Sequence, residues 1–327
     1  SFDVVNYLDS WGPANAYWLE SIDGWLKRDG ISMDRYPEAF KKSAMFKGET
    51  LGFPLRAHPM LMFYRKDLFA KHGLSVPETW NDVASAGKTI KQKEGIGGLA
   101  CYFGADGNRQ NLFLWLNYIW ATGTEVFDKQ MKPAWATPSG LRATRDYVSL
   151  HTKHNICGKG AVSNVEQDGR IQFAQGNAAM MPVWWWAYSG FYNPNQSKLT
   201  KDQVGFAGMP SYQGKTVTYA ISMPYSISKY SKNKEASWEF MKWLSNPELD
   251  RRNAIERSVR GEKIVNNVVT HKSSMADLGV NAANDNIQMA ALASLANSDI
   301  MPQIPEWPEI GDLLSNAIQK ASTGGNV

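Results

Sequence analysis

The stretch GNAAMMPVWWWAYSGFY, residues 176–192, joins a run of small and apolar residues to a dense group of aromatic side chains. Residues 178–183 predict a short buried strand, because they form an apolar run that follows a helix-stopping glycine. The aromatic residues come where this strand ends: Trp184, Trp185, Trp186, Tyr188, Phe191 and Tyr192. In open α/β sheets, ligands bind at the carboxyl ends of strands, so we expect a ligand near these rings.

Three consecutive tryptophans are difficult to place in one hydrophobic core. Successive strand residues point to opposite faces, and successive helical residues point about 100° apart. At least one of Trp184, Trp185 and Trp186 is therefore expected at a surface or cleft, with ordinary core packing as the alternative for each. Flat aromatic faces beside polar groups suit a molecule with apolar C–H faces and polar rims, such as a sugar or polyol.

Length and charge limit the fold and the partners. A chain of 327 residues exceeds what one hydrophobic core usually supports, so two lobes are expected. The net charge is only +4 and no block of Lys and Arg occurs, which argues against a nucleic-acid partner. No run of 18 apolar residues predicts a membrane span. The start, SFDVV, lacks the features of a signal peptide, so an exported form is expected to have lost its signal already.

The cysteines leave two possibilities open. Cys101 and Cys157 are the only two in the chain. An even number is compatible with one disulfide in an oxidising compartment, and equally with two inert buried thiols.

Metal and dinucleotide sites are poorly supported. His151, His154 and Cys157 have a spacing that could converge on a metal, but no fourth ligand is evident and a solvated helix end explains them better. GIGGLACYFG, residues 95–104, predicts a strand and lacks the third glycine of a dinucleotide fingerprint. We therefore expect no metal and no cofactor.

No nucleophile with its base stands out, so we do not expect an enzyme. The alternative is a glycoside hydrolase or other carbohydrate-active enzyme that uses the same Trp-lined cleft, with Asp9, Asp106 and Glu306 as candidate carboxylates. The absence of any carboxylate between Asp168 and Asp202, around the aromatic group, argues against this alternative.

The remaining pattern alternates strands and helices, as in an α/β protein. Residues 2–9 predict a strand with a polar tip, whereas Pro54 and Pro59 argue against one continuous strand through residues 51–66. Thr79 and Asp82 form a predicted capping box at the start of a helix. Further helices are predicted over residues 111–123 and 138–154.

The order of motifs along nearly the whole chain resembles the family 1 extracellular solute-binding proteins of ABC sugar importers, the maltose-binding-protein-like family. The motifs that carry the resemblance are FDVV (2–5), GETLGFPL (48–55), FYRKDLFAKHGLSVPETWNDV (63–83), WATGTEVFD (120–128), FAQGNAAM (173–180), VGFAGMP (204–210) and SISKYSKNKEASWEFMKWLSNPE (226–248).

The resemblance implies a two-lobed α/β fold that closes by a hinge on a ligand in the cleft between the lobes. Residues 1–57 plus 223–262 would form the amino-terminal lobe, and residues 62–218 plus 266–327 the carboxy-terminal lobe. Hinge segments would lie near residues 58–61, 219–223 and 261–265. Family members carry further elements before FDVV and after the last residues here, so we expect a chain trimmed at both ends or a first lobe completed by something else.

The resemblance also implies the ligand contacts. The polar tip and the Trp-rich segment correspond to binding loops of the two lobes, and other positions are carried over more weakly. The expected ligand-binding residues are Asp9, Ser10, Trp11, Arg56, His58, Trp115, Asn117, Trp184, Trp185, Trp186, Arg260 and Trp307.

The function that follows from the resemblance is that of a non-enzymatic substrate-binding protein. It would capture a mono- or disaccharide or a sugar alcohol and deliver it to an ABC permease in the membrane. We expect a monomer in the periplasm, or outside the cell at the membrane surface, and a sugar acid as a less favoured ligand.

Overall fold

Helices and strands alternate along the chain in the computed structural model, which describes residues 2–256 and 269–326. The strands are β1 Val4–Asn6, β2 Met45–Phe46, β3 Glu49–Thr50, β4 Ala57–Arg65, β5 Met180–Trp184, β6 Val204–Ala207, β7 Thr218–Ser222, β8 Tyr225–Ile227 and β9 Ser298–Asp299. The α-helices are α1 Gly12–Asn15, α2 Asp23–Arg28, α3 Glu38–Ser43, α4 Lys66–Lys71, α5 Trp80–Glu94, α6 Leu112–Ala121, α7 Pro138–Thr152, α8 Glu166–Ala174, α9 Lys234–Leu244, α10 Pro247–Ile255, α11 Lys272–Ala276, α12 Leu278–Ala283, α13 Ile287–Leu295 and α14 Trp307–Ser322. None of these helices is long and apolar enough to cross a membrane.

The chain divides into two compact units. The first comprises Ser1–Pro59 and Ala220–Pro308, and the second comprises Met60–Tyr219 and Glu309–Val327. Two of the boundaries fall inside the predicted crossing segments 58–61 and 219–223. Hinge motion at these segments stays a prediction.

The third predicted crossing, residues 261–265, lies outside the described residues. The assignment of residues 266–327 to the carboxy-terminal lobe is wrong for the described part up to Pro308, which belongs to the first unit. The reason is long-range pairing: Asp250 on α10 accepts hydrogen bonds from the backbone N–H of Thr270 and of His271, at 3.1 and 3.2 Å. The chain passes into the second unit only after Pro308, within α14.

The first unit pairs the start of the chain with residues more than 200 positions later. Strand β1 is antiparallel to β8, with Val4 opposite Ile227. Its core contains buried aromatic rings, among them Phe53, whose centroid lies 5.6 Å from Trp238 and 6.4 Å from Tyr36. Burying a side chain of this size contributes about 1.5–3 kcal/mol, so such ring contacts hold the distant segments together.

In the second unit, β4 runs antiparallel to β5 on one edge and to β6 on the other, which places Phe63 opposite both Met181 and Phe206. Helix α6 is buried at all ten positions. The capping box of Thr79 and Asp82 is present at the start of α5, as the sequence predicted.

Pro59 does not interrupt β4, contrary to the expectation from the sequence. The backbone N–H of Met223 donates to the carbonyl of Arg56, and bonded and non-bonded pairs alternate along an antiparallel ladder. Pro59 lies three residues further on, opposite Ala220, at a non-bonded position. Because no N–H is required towards β7 there, the strand tolerates the proline.

Residues 95–104 form extended chain rather than a strand, with isolated parallel bridges from Gly97 to Ala178 and from Leu99 to Cys157. The second bridge brings two distant segments into register, and Cys101 forms a disulfide with Cys157 across a Cα–Cα distance of 5.4 Å. The structure thus decides between the two possibilities that the sequence left open, in favour of the disulfide.

Candidate functional site

The three consecutive tryptophans occupy three different environments in the second unit. Trp184 ends the fully buried strand β5, and a 3-10 helix, Trp185–Tyr192, follows directly. Trp184 is 5% exposed, Trp185 is completely buried and Trp186 is half-buried. Only Trp186 offers part of its ring to the surroundings, as expected if three neighbours cannot share one core.

Trp186 is held from one side by a cation. The guanidinium carbon of Arg170 lies 5.0 Å from the centre of the Trp186 ring, a cation–π distance. Arg170 is itself fixed by the carboxylate of Glu166, one turn earlier on α8, at 2.6 Å. Burial raises the pKa of the Glu166 carboxyl, an effect that the neighbouring Arg170 charge opposes. The ion pair therefore orients a planar cation against the indole.

A cavity of about 110 Å³ adjoins this arrangement, and its lining includes Trp186, Arg170, Ile171, Phe191 and Gln196. The lining combines apolar surface with a guanidinium and an amide. Since ligand pockets usually measure about 300–1,000 Å³, this cavity can accept only part of a ligand.

Trp184 and Asn117 both contact Tyr219, which is the last residue of the segment Met60–Tyr219 of the second unit. The Trp184 ring contacts Phe113 and Tyr219 edge to face, at centroid distances of 5.0 and 5.5 Å. The backbone N–H of Tyr219 donates to Asn117 Oδ1 at 2.7 Å. Two residues that the sequence predicts to contact the ligand therefore lie beside the same residue near the start of β7.

Trp115 has a place in the core of the second unit. Its side chain is 1% exposed, its indole N–H donates to Thr144 Oγ1 at 2.9 Å, and its ring packs edge to face on Trp135. These contacts account for an indole at this position without a ligand, and a ligand contact by Trp115 stays a prediction.

Trp307, at the start of α14, is also completely buried, and its indole N–H donates to the sulfur of Met301 at 3.2 Å. Its ligand contact likewise stays a prediction. Arg260 lies outside the described residues.

In the first unit, the predicted polar tip forms a short 3-10 helix, Asp9–Trp11. Asp9 and Ser10 are buried, and the Ser10 backbone N–H donates to Asp9 Oδ1 at 2.9 Å. Trp11 is 43% exposed. The tip therefore presents an aromatic ring, while its carboxylate is held in place by the backbone.

Arg56 and His58 flank Ala57 at the start of β4, where alternation directs both side chains to one face. Arg56 is exposed and His58 is buried. Burial, and secondarily the positive charge of Arg56, lower the pKa of His58 to about 3. A neutral imidazole carries one donor and one acceptor nitrogen, which is the capacity needed to bind a hydroxyl group.

The lowered pKa of His58 makes the stability of the protein pH-dependent. An unfolded histidine titrates near 6.5, so between about pH 6.5 and 3 the unfolded state binds a proton that the folded state does not. We expect the free energy of unfolding to fall with decreasing pH in this window, with His58 contributing up to about 1.4 kcal/mol per pH unit. Urea titrations from pH 7 to pH 4 on the wild type and on His58→Gln measure that contribution. Equal pH slopes for the two proteins would contradict it.

The residues of the two alternative sites, the metal site and the hydrolase carboxylates, are placed as follows. Cys157, one of three candidate metal ligands with His151 and His154, is in the disulfide and offers no thiolate. Across residues 2–256 and 269–326, no three His, Cys, Asp or Glu side chains are grouped as a metal site requires. Of the carboxylates considered for a hydrolase, Asp106 accepts a hydrogen bond from the backbone N–H of Gln110 and Glu306 is exposed.

Arg170 and Glu166 are the site residues that the sequence did not single out. Their spacing of four residues on one helix is a recognisable signal for an ion pair. No pattern among neighbouring residues indicates that Arg170 packs on Trp186, because the two residues belong to different elements, α8 and the 3-10 helix Trp185–Tyr192.

A family model described as bacterial extracellular solute-binding protein matches residues 1–250 of the chain. A putative binding protein of Brucella abortus is 28% identical over 311 residues, which are 93% of this chain and 70% of the relative. The mannitol-binding protein of Pseudomonas aeruginosa is 28% identical over 240 residues, which are 72% of this chain and 53% of that protein.

Solved structures of similar fold include sugar and polyol complexes. A maltose-bound T. maritima protein superposes with a TM-score of 0.84 at 25% identity, covering 98% of this chain and 80% of the other. An ABC transporter solute-binding protein of Agrobacterium radiobacter in complex with ribitol gives a TM-score of 0.80 at 26% identity, covering 99% and 80%. The chain therefore has the α/β fold of the two-lobed solute-binding proteins.

Proposed function

Because the chain belongs to the bacterial extracellular solute-binding proteins, we propose that it captures a sugar or a sugar alcohol and delivers it to an ABC permease. The observation that carries this proposal is the half-buried indole of Trp186, braced by Arg170 next to a cavity of mixed polarity. A flat aromatic surface packs on the C–H face of a polyol, while nearby polar groups bind its hydroxyls.

The similar proteins support the ligand class. Mannitol, ribitol and maltose are the ligands named for a relative and for two proteins of the same fold. All three are neutral polyhydroxylated molecules. The lining of the Trp186 cavity agrees with a neutral ligand, since the charge of Arg170 is balanced by Glu166.

We further propose that the protein acts in the periplasm, or outside the cell at the membrane surface, and releases its ligand unchanged. The Cys101–Cys157 disulfide is in keeping with an oxidising compartment. Ligand-binding residues from both units, including Asp9, Arg56 and His58 of the first, remain part of the proposal.

A thermal-shift screen tests the function. D-mannitol, ribitol and maltose are compared with a sugar acid and an amino acid, and a probe at about 100 times its Kd adds about 2.7 kcal/mol of stability. We expect stabilisation by at least one of the three neutral probes. Recovery of that probe without chemical change separates binding from hydrolysis, and no stabilisation by any neutral probe would contradict the proposal.

A further inference from the structure

Among the described residues of the second unit, Trp185 and Asn117 each carry a buried hydrogen-bond donor that has no acceptor. Trp185 is completely buried and its Nε1 meets no acceptor among the described residues. Asn117 is 4% exposed, and its Nδ2 also finds no acceptor in the described part of the chain, although its Oδ1 is occupied by the Tyr219 N–H. A buried donor left unsatisfied costs about 1–3 kcal/mol, so each calls for an explanation.

The two donors belong to elements that pack against each other. Phe113, one helical turn before Asn117 on α6, contacts the ring of Trp184 at 5.0 Å. Tyr219 connects the same two places, since its N–H binds Asn117 and its ring lies 5.5 Å from Trp184. Trp185 follows Trp184 directly and precedes the half-buried Trp186. The elements that carry the two donors are therefore in contact with each other, and one donor residue, Trp185, is next to Trp186 in the sequence.

We propose that Trp185 Nε1 and Asn117 Nδ2 donate hydrogen bonds to oxygen atoms of the bound sugar or polyol. This inference rests on the proposed function and assigns Trp185 a role different from stacking. A completely buried indole presents no face to a ligand, and its one polar capacity is a single N–H donor.

The consequence is specificity for oxygen at the matching positions of the ligand. Neither an indole N–H nor an amide NH₂ can accept a hydrogen bond, so a ligand group there must carry a lone pair. A deoxy analogue that lacks this hydroxyl leaves a buried donor unpaired and is discriminated against.

The test compares dissociation constants by isothermal titration calorimetry, with whichever of D-mannitol, ribitol and maltose binds the wild type most tightly. Trp185→Phe keeps an aromatic ring and removes the N–H, and we expect its Kd to rise about tenfold. Asn117→Asp keeps an oxygen for the Tyr219 N–H and removes the donor, and its Kd is expected to rise by at least as much.

Trp238→Phe is the matched control. Trp238 is also completely buried, but it lies in the first unit and its N–H is satisfied by Asp29 at 2.8 Å. This variant should lower the unfolding temperature and leave Kd unchanged. An unchanged Kd in folded Trp185→Phe and Asn117→Asp would overturn the inference and assign both donors to internal water.

Deoxy analogues of the same probe give a second measure that does not depend on the stability of a variant. The analogue that lacks the contacted hydroxyl should bind the wild type about tenfold more weakly, and the loss should disappear in Trp185→Phe or in Asn117→Asp. If the deoxy analogue loses as much affinity in both variants as it does in the wild type, the inference is overturned. If the wild type binds none of the three probes, the proposed function fails first and this inference with it.

Discussion

Replacing Trp186 with alanine is expected to weaken binding of the sugar or polyol by about 1–3 kcal/mol, which corresponds to a rise in Kd of about 5- to 150-fold. The indole is the one ring of the three consecutive tryptophans that is half-buried rather than buried, and Arg170 braces it at 5.0 Å. Alanine removes the flat surface together with the partner of the guanidinium. Calorimetric titration with the best probe from the stability screen measures the change.

Trp186→Phe and Trp243→Ala complete this experiment. Phenylalanine retains a smaller ring and should give an intermediate loss of affinity. Trp243 lies on α9 in the first unit and is 57% exposed, so its removal deletes an indole without touching the proposed site. Equal affinity in Trp186→Ala and Trp243→Ala would show that Trp186 is not the platform.

Removal of the disulfide should produce the largest loss of stability. The double variant Cys101→Ala, Cys157→Ala frees a loop of 56 residues in the unfolded chain, and loop-closure entropy predicts a loss of about 4 kcal/mol. Measured losses for native disulfides are commonly about 2–5 kcal/mol. The urea midpoint of the unfolding transition of the second unit reports the change.

Dithiothreitol supplies the control for this prediction. Reduction should lower the stability of the wild type towards that of the double variant and leave the variant itself unaffected. Affinity for the probe should persist at temperatures where the reduced protein remains folded, because neither cysteine lines the Trp186 cavity. A double variant as stable as the oxidised wild type would contradict the expected contribution of the disulfide.

Local patterns in the sequence predicted the elements that depend on near neighbours. The capping box of Thr79 and Asp82, the apolar helix α6 and the buried strand β5 all follow from residues within a few positions of one another. The order of the family motifs also predicted the two-lobed α/β class, which the family match and the similar structures confirm.

Features that depend on residues far apart in the sequence could not be predicted from such local patterns. Pro59 looked like a strand breaker because its tolerance depends on the register with Ala220. Residues 269–308 were placed in the wrong unit because their attachment runs through Asp250, a side chain whose partners no local pattern reveals. The brace of Arg170 on Trp186 was missed for the same reason.

The sequence by itself therefore determined the family, the fold class and the presence of an aromatic segment at the end of a buried strand. Only the tertiary structure decided that Cys101 and Cys157 pair, that Trp186 keeps an accessible ring, and that Trp185 and Asn117 hold buried donors. The physical reason is the distance along the sequence between the residues that interact. Helix caps and strand patterns are set by interactions within one or two turns of chain, whereas burial, pairing and hydrogen-bond satisfaction depend on which distant segments pack together.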